Sequence, residues 1–304
     1  MITRRLIPVQ CPITRTVNIL MGGASDPGPF SRSDCDGFGA IPAAIEEGRG
    51  IYDNIRKFIT YIFSSNIPEL MPFIVKASFP LMPLALSVRQ ILAIDLGTDL
   101  FPALALGMER PEPDVMKSPP RPRNQPLIDR GLLSRAFWLG MIEATLCFAG
   151  FLCIFVLSNH AYKIGLPFLA PLERLFDFKL VLPFGQAMIL ATTVYHAGVV
   201  TAQVGNALAC RSDRTRSTKL GWLSNKYLWL GILIELSGIV SIIYIPFLAK
   251  IFNHAPLPAW IWIGLGCNAL VVYSMEWIRK AIVRGLRNIR NRKAPALSLQ
   301  EVQQ

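Results

Sequence analysis

Residues 58–76 read FITYIFSSNIPELMPFIVK, and residues 90–108 read QILAIDLGTDLFPALALGM. As helices rising about 1.5 Å per residue, both are long enough to cross a ~30 Å hydrocarbon core. Both also carry carboxylates, and a charged group at the centre of a span costs at least ~2.5 kcal/mol on insertion scales. In the first run Tyr61, Ser65 and Glu69 are spaced by four and share a helix face, with Asn66 three residues before Glu69. Pro68 and Pro72 remove two backbone donors, so the carbonyls of Ser64 and Pro68 are expected to lose their helical partners and face a ligand. In the second run Asp95, Thr98 and Asp99 fall at i, i+3 and i+4, again on one face, and Gly97 and Pro102 loosen the helix around them.

Three carboxylates, an amide and two hydroxyls on facing sides of a helix hairpin make an all-oxygen pocket. Oxygen donors suit hard cations such as Na⁺, K⁺, Ca²⁺, Mg²⁺ or H⁺, and the absence of His and Cys disfavours a soft metal. Glu69, Asp95 and Asp99 are the expected cation-ligating acids, supported by Ser65, Asn66 and Thr98. One buried acid could serve only as a hydrogen-bonded helix contact, but three acids in two adjacent interrupted helices favour a functional site.

Outward from this pair the same apolar character continues. Further segments run over Ala136–Leu157, Leu180–Ala209, Tyr227–Ala249 and Ala255–Met275, with the pair itself bounded at Phe58–Val75 and Ile91–Met108. The fourth segment exceeds a membrane thickness, so part of it is expected to be tilted or outside the bilayer. The whole chain of 304 residues is 52% hydrophobic and 17% charged, with mean hydropathy +0.40. That composition excludes a disordered chain and argues against an ordinary soluble enzyme. Residues 1–50 lack the apolar core of a signal peptide, and the six Cys show no metal-like or redox-like spacing.

The net charge of +11 resembles a nucleic-acid signal, but the positions of Lys and Arg explain it otherwise. Basic residues alternate between rich and poor connections, and 25 of the 31 fall on the side that holds both termini. Lys and Arg gather in cytoplasmic loops, so both termini are expected to be cytoplasmic, in a plasma membrane, with a bacterial inner membrane the simplest location. No nucleic-acid motif accompanies the charge, and no nucleic-acid partner is expected. The six prolines of the connection after Gly107 make it an extended connector. The seven basic residues of the Arg279–Lys293 run fit contact with lipid headgroups.

Other polar residues in the spans carry weaker signals. Glu143 and Glu235 are single carboxylates, expected to pair locally or face a polar crevice. Gln203 and Asn206 are candidates to add amide oxygens to the cation pocket. His196 fits a core hydrogen bond, and Trp138, Trp260, Trp262 and Trp277 fit an interfacial belt.

The stretch AAIEEGRGIYDNIRKFITYIFSSNIPE over Ala43–Glu69, followed by QILAIDLGTDLFPALALGMERPEPDVMKSPPR over Gln90–Arg121, resembles the C-terminal transport region of type II P-type cation ATPases. That family includes the sodium/potassium pump, the calcium pump and their bacterial relatives. The resemblance spans about residues 40–290. It implies an all-α membrane protein whose six segments are the fifth to tenth helices of a ten-helix domain. It further implies that Asn66, Glu69, Asp95, Thr98 and Asp99 ligate the transported ion, with Ser65 and Tyr61 at nearby polar positions. Gln203 and Asp95 lean toward the sodium/potassium-like branch, and Asn206 departs from it. The transported ion is then Na⁺ or K⁺, with Ca²⁺ as the second choice.

The DKTGT, GDGxND, TGE and PEG motifs of a complete pump do not occur in these 304 residues. No catalytic residue or resident cofactor is therefore expected here; ATP and Mg²⁺ belong to the complete pump. Family likeness begins abruptly near Ala40, which leads to an expected division into an irregular remnant over 1–39, a cytoplasmic stalk over 40–57, a six-helix domain over 58–285 and a basic polar tail over 286–304. A truncated or frameshifted reading frame, inactive alone, is the expected origin. The expected partners are the lipid bilayer and a catalytic half or full-length P-type ATPase. An independent six-helix channel or transporter and an accessory pump subunit are the competing readings.

Overall fold

The protein is described by a computed structural model covering residues 40–112, 115–117, 119–122, 126–166, 169, 171, 180–212, 221 and 223–293. The regular elements among these residues are all helical. They are α1 (Ala40–Ser78), α2 (Val88–Ala93), a π-turn (Ile94–Thr98), α3 (Leu100–Gly107), α4 (Arg130–Leu157), α5 (Phe184–Cys210), α6 (Lys226–Tyr244), α7 (Pro246–Phe252) and α8 (Ala259–Lys293), with short 3₁₀ turns at Val115–Lys117 and Ala161–Ile164. Among the described residues six stretches are long and apolar enough to cross a membrane: Ile41–Ser78, Val88–Gly107, Arg130–Leu157, Phe184–Cys210, Lys226–Tyr244 and Ala259–Leu286. These are the six segments expected from the sequence.

Several boundaries differ, each for a local reason. Segment one is a single helix through both Pro68 and Pro72 rather than a broken one. Segment two is interrupted by a π-turn, closed by the Asp99 amide donating to the Ile94 carbonyl at 2.8 Å. Segment five splits at Ile245, because Pro246 cannot donate within α6 and instead starts the short α7. The last helix continues to Lys293, past the Met275 end expected of the sixth segment.

The described residues divide into two compact units, one of residues 40–53 with those described between 111 and 120, the other of residues 54–110 with those described between 121 and 293. In the first, an Arg49 guanidinium nitrogen donates to the Val115 carbonyl at 2.9 Å. Gly50 there leaves room for Pro111, since an added Cβ would fall 2.7 Å from the proline Cγ.

The second unit is built around α5, with 78% of its most apolar stretch buried. Helices α4 and α8 pack along α5, and α6 packs along α3. One apolar core joins Phe151, Phe155, Val194 and Tyr195 to Ile239 and Leu265; a second joins Tyr61, Leu106, Leu139, Leu228 and Val272. Helix starts follow capping rules. Ser87 and Gln90 form a reciprocal capping box, and the side chains of Asp129 and Asn225 accept from the amides of Leu132 and Leu228. Burial pushes the Asp129 carboxyl up, but hydrogen bonds from Arg56 and the Leu132 amide outweigh it and hold it below the usual carboxylate range.

The two ends of the second unit differ in charge. At one end Arg135 donates to Glu276 at 2.9 Å and to the carbonyls of Ala209 and Ser212, which also accept from Lys280. Two cations thus cap the C-terminal end of α5, where the helix dipole is negative. Beside them a buried Arg211–Glu109 pair at 2.8 Å is joined by Asn225, which donates to Glu109 and to the Ala105 carbonyl. At the other end Gln90 donates to the Phe252 carbonyl, and His254 meets Thr193 and His196. The basic-rich connections therefore meet at one end and basic-poor ones at the other, in the alternation read from the sequence.

Candidate functional site

The polar face of α1 lies against the π-turn. Tyr61, Ser64, Ser65, Glu69, Thr98 and Asp99 are buried, while Asn66 and Asp95 are partly exposed. The Ser65 hydroxyl donates to Asp99 Oδ2 at 2.7 Å and tethers the two helices. The same hydroxyl lies 3.1 Å from the Ile62 carbonyl, so its one proton serves the carboxylate when Asp99 is charged and the carbonyl when it is not. Glu69 and Asp95 face each other across the helix pair at hydrogen-bonding range. Glu69 Oε1 and Asp99 Oδ1 are buried with no hydrogen-bond partner.

The π-turn adds a residue to the ring between Asp95 and Asp99, and Pro102 brings no N–H for the Thr98 carbonyl. Such turns are frequent at functional sites, because they re-aim side chains without ending the helix. Thr98 turns its hydroxyl back to the Ile94 carbonyl at 3.1 Å, so in this arrangement its proton is engaged within the turn. Asn66 likewise donates to the Ile62 carbonyl and keeps its amide oxygen available.

Three further helices pack around this pair and carry fully buried polar residues: Glu143 on α4, Gln203 and Asn206 on α5, and Glu235 on α6. None of the side-chain oxygens or nitrogens of Glu143, Gln203 and Glu235 has a hydrogen-bond partner, while the buried Tyr61 hydroxyl faces the Asp99 carboxylate. Of the two alternatives read from the sequence, Glu143 and Glu235 follow the second: neither pairs locally, and both face the polar side of the helix pair. Both sit within electrostatic reach of Asp99 and of each other, because small residues let their helices approach closely. A Cβ on Gly140 would lie 2.6 Å from the Ser64 carbonyl, and one on Gly231 would lie 3.0 Å from the backbone of Phe101 and Pro102. Gly231, Glu235 and Gly238 occupy one face of α6, so the glycines bring the carboxylate to the π-turn. A small residue three or four positions from an acid in an apolar span is the signal that could have found these two.

The two carbonyls expected to face a ligand are otherwise occupied. The Pro68 carbonyl accepts from the Tyr195 hydroxyl at 2.6 Å, and the Ser64 carbonyl abuts Gly140. Asn206 donates to Ser64 Oγ at 2.7 Å and accepts from Cys210, so its amide ties α5 to α1. Among the described residues no three His, Cys, Asp or Glu side chains gather tightly enough to hold a metal ion by themselves. Glu276, toward the end of the last span, is paired with Arg135, Arg279 and Lys280, whereas the oxygens of Glu143 and Glu235 have no hydrogen-bond partner.

A family profile described as "Cation transporting ATPase, C-terminus" matches residues 83–282. The chain belongs to this family. Its members' C-terminal region is the all-α membrane domain seen here, and the chain is a multi-pass membrane protein. It is 32% identical over 265 residues to sodium/potassium-transporting ATPase subunit alpha-4 of Rattus norvegicus, covering 82% of this chain and 25% of that one. It is 32% identical over 271 residues to the alpha-2 subunit of Gallus gallus and 32% over 267 residues to the alpha-1 subunit of Oreochromis mossambicus, with the same coverage. The chain therefore spans about a quarter of the length of these relatives.

His196 makes the core hydrogen bond expected of it, with Nδ1 2.8 Å from His254 Nε2. Burial holds His254, in the connection before α8, at about 4. The described cysteines, Cys147, Cys153, Cys210 and Cys267, are free thiols, as their spacing suggested. Cys11 and Cys35 lie outside the described residues, as does the expected remnant over 1–39.

Proposed function

We propose that this chain is the cation-binding membrane part of an ATP-driven P-type cation pump. The ion is held between α1 and the π-turn by Glu69, Asp95 and Asp99, with oxygens from Ser65, Asn66 and Thr98, and Gln203 extends the polar path toward Glu143 and Glu235. The supporting observation is the set of five acids in the spans without a basic partner. At ~2.5 kcal/mol each on insertion scales, five uncompensated charges cost about 12 kcal/mol, as much as the net stability of a typical domain. Protons or bound cations must supply the compensation.

Acids that can hold protons, with few fixed ligands beside them, suit monovalent ions exchanging with protons, and the sodium/potassium-transporting relatives support Na⁺ or K⁺ over Ca²⁺. Phosphoryl transfer, with its ATP and Mg²⁺, comes from outside these residues, since the phosphorylation and hinge motifs do not occur in them. Asp95 and Asn66, polar and partly exposed within their spans, support a covering partner helix from the rest of a pump. The gathering of Arg135, Arg211, Arg279 and Lys280 at one end supports that end being cytoplasmic, in a plasma membrane.

Equilibrium binding of radiolabelled sodium, potassium and calcium ions to the chain in lipid nanodiscs tests the site. Saturable binding that is lost in Glu69→Gln is expected; binding that Glu69→Gln leaves unchanged would sink the assignment. Rapid cation flux through the chain in liposomes without ATP would instead favour a channel.

A further inference from the structure

We propose that Tyr195 is a positioning residue for the cation site: its hydroxyl pins the proline-loosened turn of α1 and so aims Glu69. This rests on the cation-site reading above. In an α-helix the carbonyl of residue 68 would accept from the amide of residue 72, but Pro72 has none. A buried carbonyl left unpaired is costly, so something must satisfy it. Tyr195, 127 residues away on α5, does so at 2.6 Å.

The hydroxyl is held in place rather than opportunistic. Tyr195 is fully buried, and its ring stands edge-on to Phe148 and Phe151 of α4, with centroids 5.1 and 6.2 Å away. Four residues earlier in α1, Asn206 of the same α5 donates to Ser64 Oγ. The most buried helix in the fold therefore grips α1 at both ends of the turn that Pro68 and Pro72 weaken. Glu69 is the residue next to the pinned carbonyl. It is 3% exposed, and its free Oε1 is fixed by the same turn. The bond also withholds the Pro68 carbonyl from any bound ion, leaving side-chain oxygens to set the site's preference.

The test uses the full chain in lipid nanodiscs and reads how sodium, potassium or calcium chloride protects Glu69 from a hydrophobic carbodiimide, with modification quantified by peptide mass spectrometry. Weak binding is accessible because the salt can be raised to high concentration. Tyr195→Phe keeps the ring and deletes the hydroxyl. Its expected effect is about a ten-fold rise in the salt needed for half-protection.

Tyr244→Phe is the matched control, since the Tyr244 hydroxyl donates to the Leu257 carbonyl at 2.8 Å away from the site. It should lower thermal stability and leave half-protection unchanged. Half-protection shifted less than two-fold in Tyr195→Phe, or shifted equally in Tyr244→Phe, overturns the role of Tyr195 alone, provided Asp99→Asn abolishes protection. Absence of protection in the unaltered chain, or protection that survives Asp99→Asn, overturns the cation-site reading and with it this role.

Discussion

Ser65 Oγ and Asp99 Oδ2, 2.7 Å apart, join the two helices that hold the candidate site. The bond leaves Asp99 Oδ1 free to face an ion while the carboxylate stays oriented. Hydrogen bonds to charged groups contribute roughly 1.5–3 kcal/mol. Ser65→Ala is therefore expected to weaken cation binding by about ten-fold, the equivalent of about 1.4 kcal/mol. Asp99→Asn removes the charge itself and should weaken it by at least about 100-fold, or about 2.7 kcal/mol. Ion titrations of the two variants check the order; equal effects would mean that Asp99 acts only through its bond to Ser65.

The approach of α6 to the π-turn depends on glycine. A Cβ at Gly231 would meet backbone atoms of Phe101 and Pro102 at 3.0 Å, and backbone cannot swing aside as a side chain can. Gly231→Ala is expected to cost about 1–3 kcal/mol, the usual range for overpacking. It should also displace Glu235 from the acid cluster. Gly264→Ala in α8 meets nothing within 4 Å and should be neutral or stabilising by up to about 1 kcal/mol. Thermal melts in detergent would decide. A Gly231→Ala protein as stable as the parent would mean that the two helices are not in close contact.

Much of this was legible in the residues. Six spans follow from apolar runs, and the grouping of their ends follows from the alternation of Lys and Arg, because lipid imposes both constraints on sequence directly. The i, i+3, i+4 spacing of Asp95, Thr98 and Asp99 points to one α-helical face, but not to the π-turn that buries Thr98 and Asp99 and leaves Asp95 partly exposed. For Glu143 and Glu235 sequence leaves local pairing and a polar crevice both open, because single residues carry no periodicity; their approach to Asp99 depends on glycines whose packing becomes visible only when four helices are assembled. The fate of the Pro68 carbonyl was also hidden. Sequence shows that Pro72 orphans it, but not that Tyr195 arrives from 127 residues away.

Acid should weaken the fold through His254. Burial lowers this imidazole from the ordinary 6.5 to about 4, so between those values the unfolded chain binds a proton that the folded chain refuses. Stability is then fully present above about pH 6.5 and declines as pH falls toward 4. The groups around it are His196, Thr193 and Gln90, which present no carboxylate to accept the charge. Asp129, held low by Arg56, adds a separate loss only at lower pH, below its ordinary 3.8. His254→Asn is expected to flatten the stability profile between pH 6.5 and 4. A slope unchanged in that variant would assign the acid sensitivity to another group.

Topology offers a direct check on which end faces the cytoplasm. Ser212 looks like a loop position in the sequence, but its side chain is buried and its carbonyl accepts from Arg135 and Lys280, so a label there would report packing. Leu223, 75% exposed before α6, and Val181, 96% exposed before α5, are better sites because each stands clear of the fold. In a cysteine-free background, Leu223→Cys should react with a membrane-impermeant thiol reagent only after the cytoplasmic side is opened. Val181→Cys should react in intact cells. The reverse pattern would invert the protein in the membrane and place its basic clusters outside, against the charge bias that Lys and Arg impose on insertion. Reaction of both positions from one side would break the six-span arrangement itself, since α5 separates Val181 from the Arg211 end that Leu223 adjoins.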